Sequence, residues 1–581
     1  MSKGAVPPAL VVIDLQEPGT QAHLLRSLLG SGVLGWTGIG ASPWLVLAPP
    51  GDGGDRSWCR GTRVLEPAGL FDADAVQAMT RQVVEVSSQV IATLRPAGAG
   101  LHLGELNRAF IQTWVHDLLY REGAVLAACR TLGLARCRII STSGRRARWI
   151  AAGVGHAGVR AGVTGFPARL RSREKPVRGY WAIGEALPRA DLLMVAESPP
   201  MRQMFSVVGD TLPATLRSQS LQLAYVSGAS AAYLAAVREV PMRWVNRAPS
   251  GDPAEGPIGS PAAHPGDLGE EVSPSVRASF DALWRRIVDD QLPRQQHWAR
   301  HVLQVLDKIG PQVLVVGNDR FWTGQTYTRL GDSLGIRTVC LQDGIAAPVP
   351  NHTYSTAAHV LAAGTLWPAL LSPDNGRPRS VSVVGQPRYD RARTTFEERR
   401  RREPLPPSRA KNRVLLILQD IHRLDYARTI LAETLRVEGT QVMIRAHPAF
   451  RPAGLDRLAG PRVRFSPGGN IVDDLAWADL VVTEYSTVAV EALALGLPVL
   501  SVTLSGRPPL LDFTVPGQAE GVTEGSQIAA AVVRLLGATP LPAGSPARQA
   551  ILDQLVGPLD DRSASRVGGI LSGLLEGTSA A

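Results

Sequence analysis

Cysteine is scarce in this chain. Its 581 residues include four, Cys59, Cys129, Cys137 and Cys340. No two of them form a C-x2-C pair, so neither a zinc site nor a dithiol redox motif is indicated. Cys137 and Cys340 stand in or beside apolar runs, where cysteine acts as a small buried apolar residue. This usage fits a reducing cytoplasm. Long apolar runs are missing as well. None reaches the ~20 residues that a membrane helix needs, and the apolar stretch near Met1 is too short for a signal peptide. The expectation is a soluble or peripheral protein. Lysine is scarce beside arginine, a bias that a GC-rich genome would produce without any functional cause.

What is present is globular in character. Apolar residues make up 45% of the chain and charged residues 19%, and the length suggests three or four domains. The net charge of +10 suits anionic partners such as phosphates, a lipid surface or nucleic acid. Residues 391–413 hold nine basic and three acidic side chains. They read first as a solvated linker and second as a contact for membrane or lipid phosphate. Nucleic acid is disfavoured, because no binding motif accompanies the charge.

Two low-complexity stretches punctuate the sequence. Residues 247–275 are rich in Pro, Gly and Ser and predict a disordered insertion, and 396–412 predicts a basic interdomain linker. Elsewhere short Val-, Leu- and Ile-rich runs alternate with helical patterns, which predicts parallel sheets covered on both faces. The strands expected downstream are 414–418, 442–445, 462–465, 480–484 and 498–502. Upstream they are 191–197, 220–228, 313–317, 338–344 and 381–385. Residues 1–187 predict an additional α/β region, with strands at 9–15, 44–48 and 136–142 and a helix over 102–133. Within it, 115–165 loosely echoes 302–345. The boundaries expected are therefore 1–187, an upstream lobe 188–395, the linker 396–412, a downstream lobe 413–535, and C-terminal helices 536–581 that pack back toward the upstream lobe.

Open α/β sheets bind ligands beyond the carboxyl ends of their strands. Arg445-Ala446-His447-Pro448 follows one such strand. Tyr485, Ser486 and Thr487 follow another and start a helix. A helix start offers unpaired N–H groups and a positive dipole end, which suit a phosphate. Glu491 lies further along that helix, placed to accept from sugar hydroxyls. Each feature also has a plainer use: Ser486 as an N-cap, His447-Pro448 as a turn, and Glu491 as a helix charge.

The order of these features resembles a known group. IRAHP followed by DDLAWADLVVTEYSTVAVEALALGLPVL (473–500) is similar to the donor-binding lobe of capsule and teichoic-acid transferases, the CDP-glycerol glycerophosphotransferase family included. LQDGIAAP (341–348) and VVGQPRYD (383–390) resemble the strand–His–Gly turn and the V-x-G-x-P-R-x-D element of the same enzymes. The resemblance covers about 190–535 and implies the two-lobed GT-B architecture, an α/β fold with two Rossmann-like lobes. It implies a metal-independent transferase without a cofactor, acting on a nucleotide-sugar or CDP-polyol donor and a glycan or lipid-linked acceptor. In it Arg445, Tyr485, Ser486, Thr487 and Glu491 would bind the donor, with His447 and Asp343 as catalytic residues. Gln342, Gly344, Gly385 and Gln386 would line the cleft. Asp343 stands where the family has a histidine, and is the candidate base, with His352 next. Glu484 and Glu491 have six residues between them, against seven in many retaining GT-B enzymes. The alternatives are a non-hydrolysing nucleotide-sugar 2-epimerase, which usually has a Gly-Gly pair at 485–487, and a non-catalytic subunit of a polysaccharide-assembly complex.

Overall fold

The computed structural model describes residues 10–14, 44–47, 64–65, 70–71, 73–94, 102–141, 144–165, 180–183, 187–225, 238–245, 268, 272–347, 352–371, 378–390, 392–402, 412–419, 424–447, 454–484, 486–504, 514–538 and 545–577. Three separate sheets form the frame.

The first sheet contains β1 (Leu10–Asp14), β2 (Trp44–Leu47), β3 (Val64–Leu65), β4 (Arg136–Ser141) and β5 (Arg160–Gly165), in the order β3-β2-β1-β4-β5 and parallel throughout. Helices α1 (Ala73–Thr93) and α2 (Arg108–Leu132) connect it to the rest. Val83, Val90, Ile111 and Val115 on these helices are buried in the same core as Leu193 and Val195 of the second sheet. The N-terminal region is thus welded to its neighbour by apolar burial, each such side chain contributing roughly 1.5–3 kcal/mol.

The second sheet has eight strands: β6 (Tyr180–Ile183), β7 (Leu192–Ala196), β8 (Ser220–Tyr225), β9 (Arg238–Val245), β10 (Val313–Val316), β11 (Arg337–Leu341), β12 (His359–Ala362) and β13 (Ser380–Val383). Their order is β13-β12-β11-β10-β7-β8-β9-β6, parallel except for β6. Chain order reverses between β7 and β10. The run LLMVA of β7 is buried along its whole length, as a strand covered on both faces must be. Helix α3 (Pro199–Thr211) follows β7 and α4 (Trp322–Ser333) follows β10. Residues Pro274–Ile309 form one long helical path. It widens into a π segment at Arg286–Gln291, just before Pro293, which lacks an N–H for the regular ladder. Residues 274–275, expected at the end of a disordered insertion, open this path; 247–267 lie outside the described residues.

Helix α5 (Ala392–Arg402) occupies the start of the stretch expected to be a linker. Its arginines are engaged within the chain. Arg399 pairs with Asp473 at 2.8 Å, and Arg400 donates to the carbonyls of Ala476 and Ala478. Two of the five arginines of α5 thus fasten it to the downstream lobe, while Arg401 and Arg402 contact only α5 itself; 403–411 lie outside the described residues.

The third sheet contains β14 (Asn412–Ile417), β15 (Thr440–Arg445), β16 (Val463–Phe465), β17 (Leu480–Thr483), β18 (Val499–Val502) and β19 (Ala519–Val522). All are parallel, in the order β16-β15-β14-β17-β18-β19. This is the doubly wound order, with its reversal between β14 and β17. Helices α6 (Ile471–Trp477) and α7 (Thr487–Ala494) flank that point.

The chain then returns. Helix α8 (Pro546–Leu555) packs on α7, and α9 (Ser563–Leu575) crosses to the upstream lobe. There Val567, Leu571 and Leu574 join the core of Met204, Phe205 and Val208. Asp390 caps α9 across the chain, accepting from Ser563 N at 3.2 Å and Ala564 N at 2.7 Å. Gly385 makes the approach possible. Its φ is +85°, and a Cβ there would stand 2.4 Å from Ser563 Oγ.

Candidate functional site

A cleft of about 610 Å³ opens where the upstream and downstream lobes face each other. Ser198, Pro200 and Gln203 line it from the upstream side, at the start of α3. Arg388 and Tyr389 enter it from the crossover between the lobes, and Arg445, His447, Ser486, Thr487 and Glu491 line it from the downstream side. Four of the five residues expected to bind the donor thus meet in one cavity with His447, though they come from the end of β15 and from α7. The remaining one, Tyr485, lies outside the described residues.

Their local roles are unequal. Arg445 ends β15, and its guanidinium is largely committed: it pairs with Asp474, which is 3% exposed, and donates to Gly469 O at 2.8 Å. Asp474 also accepts from Ser466 Oγ at 2.6 Å. Arg445 therefore braces α6 against β15, and its structural duty stands beside any ligand contact. Ser486 is the N-cap of α7, accepting from Val488 N at 3.2 Å. It serves its plainer use, while the amino terminus of α7 still faces the cleft.

Glu491 projects from α7 toward Arg388, Oε1 to Nη2 at 3.7 Å, each side chain being 12% exposed. Burial pushes the Glu491 carboxyl above its ordinary range, and Arg388 pulls it back. Burial also opposes the charge of Arg388, but Tyr389 and Glu491 beside it outweigh that and hold it protonated. Arg388 donates to Tyr389 Oη at 3.0 Å and lies 5.0 Å above that ring. The result is a cation fixed on the cleft wall by an aromatic face and a carboxylate. Within VVGQPRYD the sequence singled out Gly385 and Gln386 and passed over Arg388, whose signal was its place in the V-x-G-x-P-R-x-D pattern.

Asp343 does not line this cleft. It sits after β11, 3.6 Å from Arg320, with its pKa raised by burial and lowered by Arg320 and Arg388. Gly344 has no left-handed backbone, so the turn is not of the glycine-requiring kind. Gln342, Gly344, Gly385 and Gln386 likewise do not line the cleft but brace the ground behind it. Gln342 Nε2 donates to Gly344 O at 2.6 Å, Gln342 Oε1 accepts from Ala363 N at 2.9 Å, and Gln386 Nε2 donates to Gln342 O at 3.0 Å. These bonds join β11, β12 and the crossover, and Gln386 Oε1 is buried without a hydrogen-bond partner. His352 accepts from Ala347 N at 2.7 Å, and burial lowers its pKa to about 3, so it is a poor candidate base. Among the described residues no group of three His, Cys, Asp or Glu is placed to hold a metal.

One residue near the cleft was missed. Glu197 ends the β7 run, beside the point where strand order reverses, and precedes the lining residue Ser198. The rule that ligands gather at strand carboxyl ends points to it, but DLLMVAE reads as a strand whose last residue attracts no attention.

No family model matches the chain, and no curated protein matches it. Among solved structures it is similar to the UDP-GlcNAc 2-epimerase of Methanocaldococcus jannaschii, at 14% identity over 66% of this chain and 99% of that one, with a TM-score of 0.41. The glycotransferase of kitacinnamycin matches at 14% identity over 67% and 100%, TM-score 0.43. The wall teichoic acid polymerase TagF matches at 10% over 67% and 90%, TM-score 0.39. Scores this low leave the activity to be read from the site itself. The chain's own topology sets its class: α/β, with two Rossmann-like lobes across a cleft in the GT-B manner and a third parallel sheet before them. No helix among the described residues is long and apolar enough to cross a membrane.

Proposed function

We propose that this chain is a transferase that moves a sugar or polyol-phosphate from a nucleotide-activated donor to a surface-polysaccharide or lipid-linked acceptor. The observation that carries the reading is the cleft, where the amino terminus of α7, Glu491, His447 and the fixed cation of Arg388 converge from two lobes. Donor phosphates fit the positive dipole end of α7, where Ser486 Oγ already holds Val488 N. Glu491 accepts from ribose or sugar hydroxyls. Arg388 and His447 stabilise the negative charge that grows on the leaving phosphate.

A second reading, nucleotide-sugar 2-epimerisation, has one observation in its favour. Asp343 lies close enough to Glu197 to raise its pKa, and a carboxylate pair can take and return a proton at carbon as well as at oxygen. Thermal shift of the full chain with CMP, CDP, UDP, GDP and their sugar conjugates tests the shared premise, because a ligand that binds only the folded state raises its melting temperature. One nucleotide should stand out. A flat panel would remove both readings, and formation of the 2-epimer from UDP-N-acetylglucosamine would select the second.

A further inference from the structure

The upstream lobe contains a carboxylate that the donor cleft does not use. Glu197 Oε2 accepts from Thr323 Oγ1 at 3.1 Å, and its Oε1 is shielded from solvent with no hydrogen-bond partner. A buried carboxylate oxygen left without a partner costs stability, and such a group calls for an explanation. Burial pushes the Glu197 pKa up to about 7; Thr323 opposes the rise and Asp343 adds to it.

The groups facing Glu197 are all neutral or acidic. Asp343 comes from the segment after β11, Thr323 and Tyr327 from α4, and Tyr225 from β8. The two tyrosine hydroxyls bond to each other, and Tyr225 also bonds His301 Nε2 at 3.0 Å. Burial lowers the pKa of His301 to about 4, so it is neutral at pH 7. The nearby cations are directed elsewhere: Arg320 and Arg388 face Asp343, and Arg388 faces Glu491. Asp343 thus has cations beside it, although burial outweighs them and raises its pKa. Glu197 has no such cation, and its buried Oε1 has no hydrogen-bond partner.

We infer that Glu197, rather than Asp343, is the catalytic base that deprotonates the acceptor hydroxyl. The inference rests on reading the cleft as a nucleotide-donor site. The step balances as follows in atoms and charge. The acceptor O–H proton passes to Glu197 as the acceptor oxygen bonds to the transferred carbon or phosphorus. The bond from that atom to the nucleotide phosphate oxygen breaks, and the nucleotide leaves carrying the electron pair. Ser198, the next residue, lines the donor cleft, so Glu197 stands behind the upstream wall, opposite α7.

Three variants of the full chain test this, with nucleotide affinity, turnover and melting temperature as readouts. Glu197→Gln keeps the shape and removes the basicity. It should bind the preferred nucleotide as the wild type does and lose about 10²–10⁴-fold in turnover. Glu197→Asp should recover part of that loss. Asp343→Asn should shift the acid limb of the pH–rate profile to lower pH, since it removes a negative neighbour of Glu197. A melting series supplies a readout apart from activity. The folded-state pKa of Glu197 is raised, so its stabilising contribution is present below its ordinary range and lost as pH rises through about 7. Glu197→Gln should therefore gain on the wild type in melting temperature as pH rises through that value. Full turnover in Glu197→Gln with turnover abolished in Asp343→Asn would overturn the inference while leaving the donor site intact. A wild type that binds no nucleotide would instead overturn the donor reading.

Discussion

At the carboxyl ends of its strands the upstream sheet presents Glu197, Asp319 and Asp343, whereas the downstream sheet presents Arg445, His447 and the amino terminus of α7. The sheets have the same arrangement around β7 and β14, with the next two strands of the chain on one side and the two after those on the other. Equal topology thus carries different residues at its strand ends: Arg445, His447 and the start of α7 line the cleft, and the three upstream carboxylates stand behind its wall. Even among the upstream carboxylates the duties differ. Asp319 Oδ2 accepts from Ser355 Oγ at 2.7 Å, Thr356 N at 2.6 Å and Ala357 N at 2.8 Å, and so anchors the segment before β12. Asp343 balances arginines. Glu197 accepts one hydrogen bond, from Thr323, and is paired with no arginine. The lesson is that strand order says where chemistry can sit, and the hydrogen-bond partners decide which residue is available for it.

The comparison can be broken at four points. The largest effect is expected at Asp474, on the downstream side. Asp474→Ala leaves Arg445 half-buried without its partner, a loss of about 3–5 kcal/mol for a broken buried pair, measurable by urea unfolding. Arg445→Ala should resemble it in stability more than in nucleotide affinity. If either variant instead keeps full stability and loses only binding, the brace assigned to this pair is wrong.

Arg388 comes next. Arg388→Ala should weaken nucleotide binding by roughly 10–100-fold, the size of charge-assisted hydrogen bonds worth about 1.5–3 kcal/mol, read by titration calorimetry. An effect on turnover alone would place this cation with the upstream chemistry and erase the division between the lobes. Gly385→Ala forces a side chain into left-handed backbone against Ser563, costing about 1–3 kcal/mol. Because α9 ties the upstream lobe to the chain's end, this loss should appear as a lowered melting temperature with nucleotide affinity per folded molecule unchanged. The smallest effect belongs to Ser486→Ala, where removal of an N-cap costs about 1 kcal/mol. Equal stability together with much weaker nucleotide binding would show that Ser486 contacts ligand rather than only capping α7.

Much of the frame is legible in the sequence because buried parallel strands are short apolar runs. The run 414–418 becomes β14 at 412–417, and 442–445 becomes most of β15 at 440–445. The echo between 115–165 and 302–345 also has a structural counterpart. In each, a helix leads to a strand beside the central strand, β4 beside β1 and β10 beside β7, and a second helix leads to the next strand out. Arg445, His447, Ser486, Thr487 and Glu491 were legible as a group because all follow strands of one sheet within about fifty residues. Three things were not. The partner of Glu491 is Arg388, on the far side of the crossover, and no local pattern couples them. The commitment of Arg445 to Asp474 depends on how α6 lies against β15. The choice between Asp343 and Glu197 turns on which carboxylate faces arginines, a fact of packing between β7, β10 and β11 that no spacing along the chain reveals.

The division between the lobes is tested most directly by hydrogen exchange on the full chain, with and without the nucleotide that binds best. The first amides of a helix lack partners within it and exchange readily until something covers them. The account predicts that bound nucleotide slows exchange at 486–491 and around Ala446 and His447, with no change in β1 to β5. Slowing confined to the strand ends of the first sheet, with 486–491 unaffected, would contradict it.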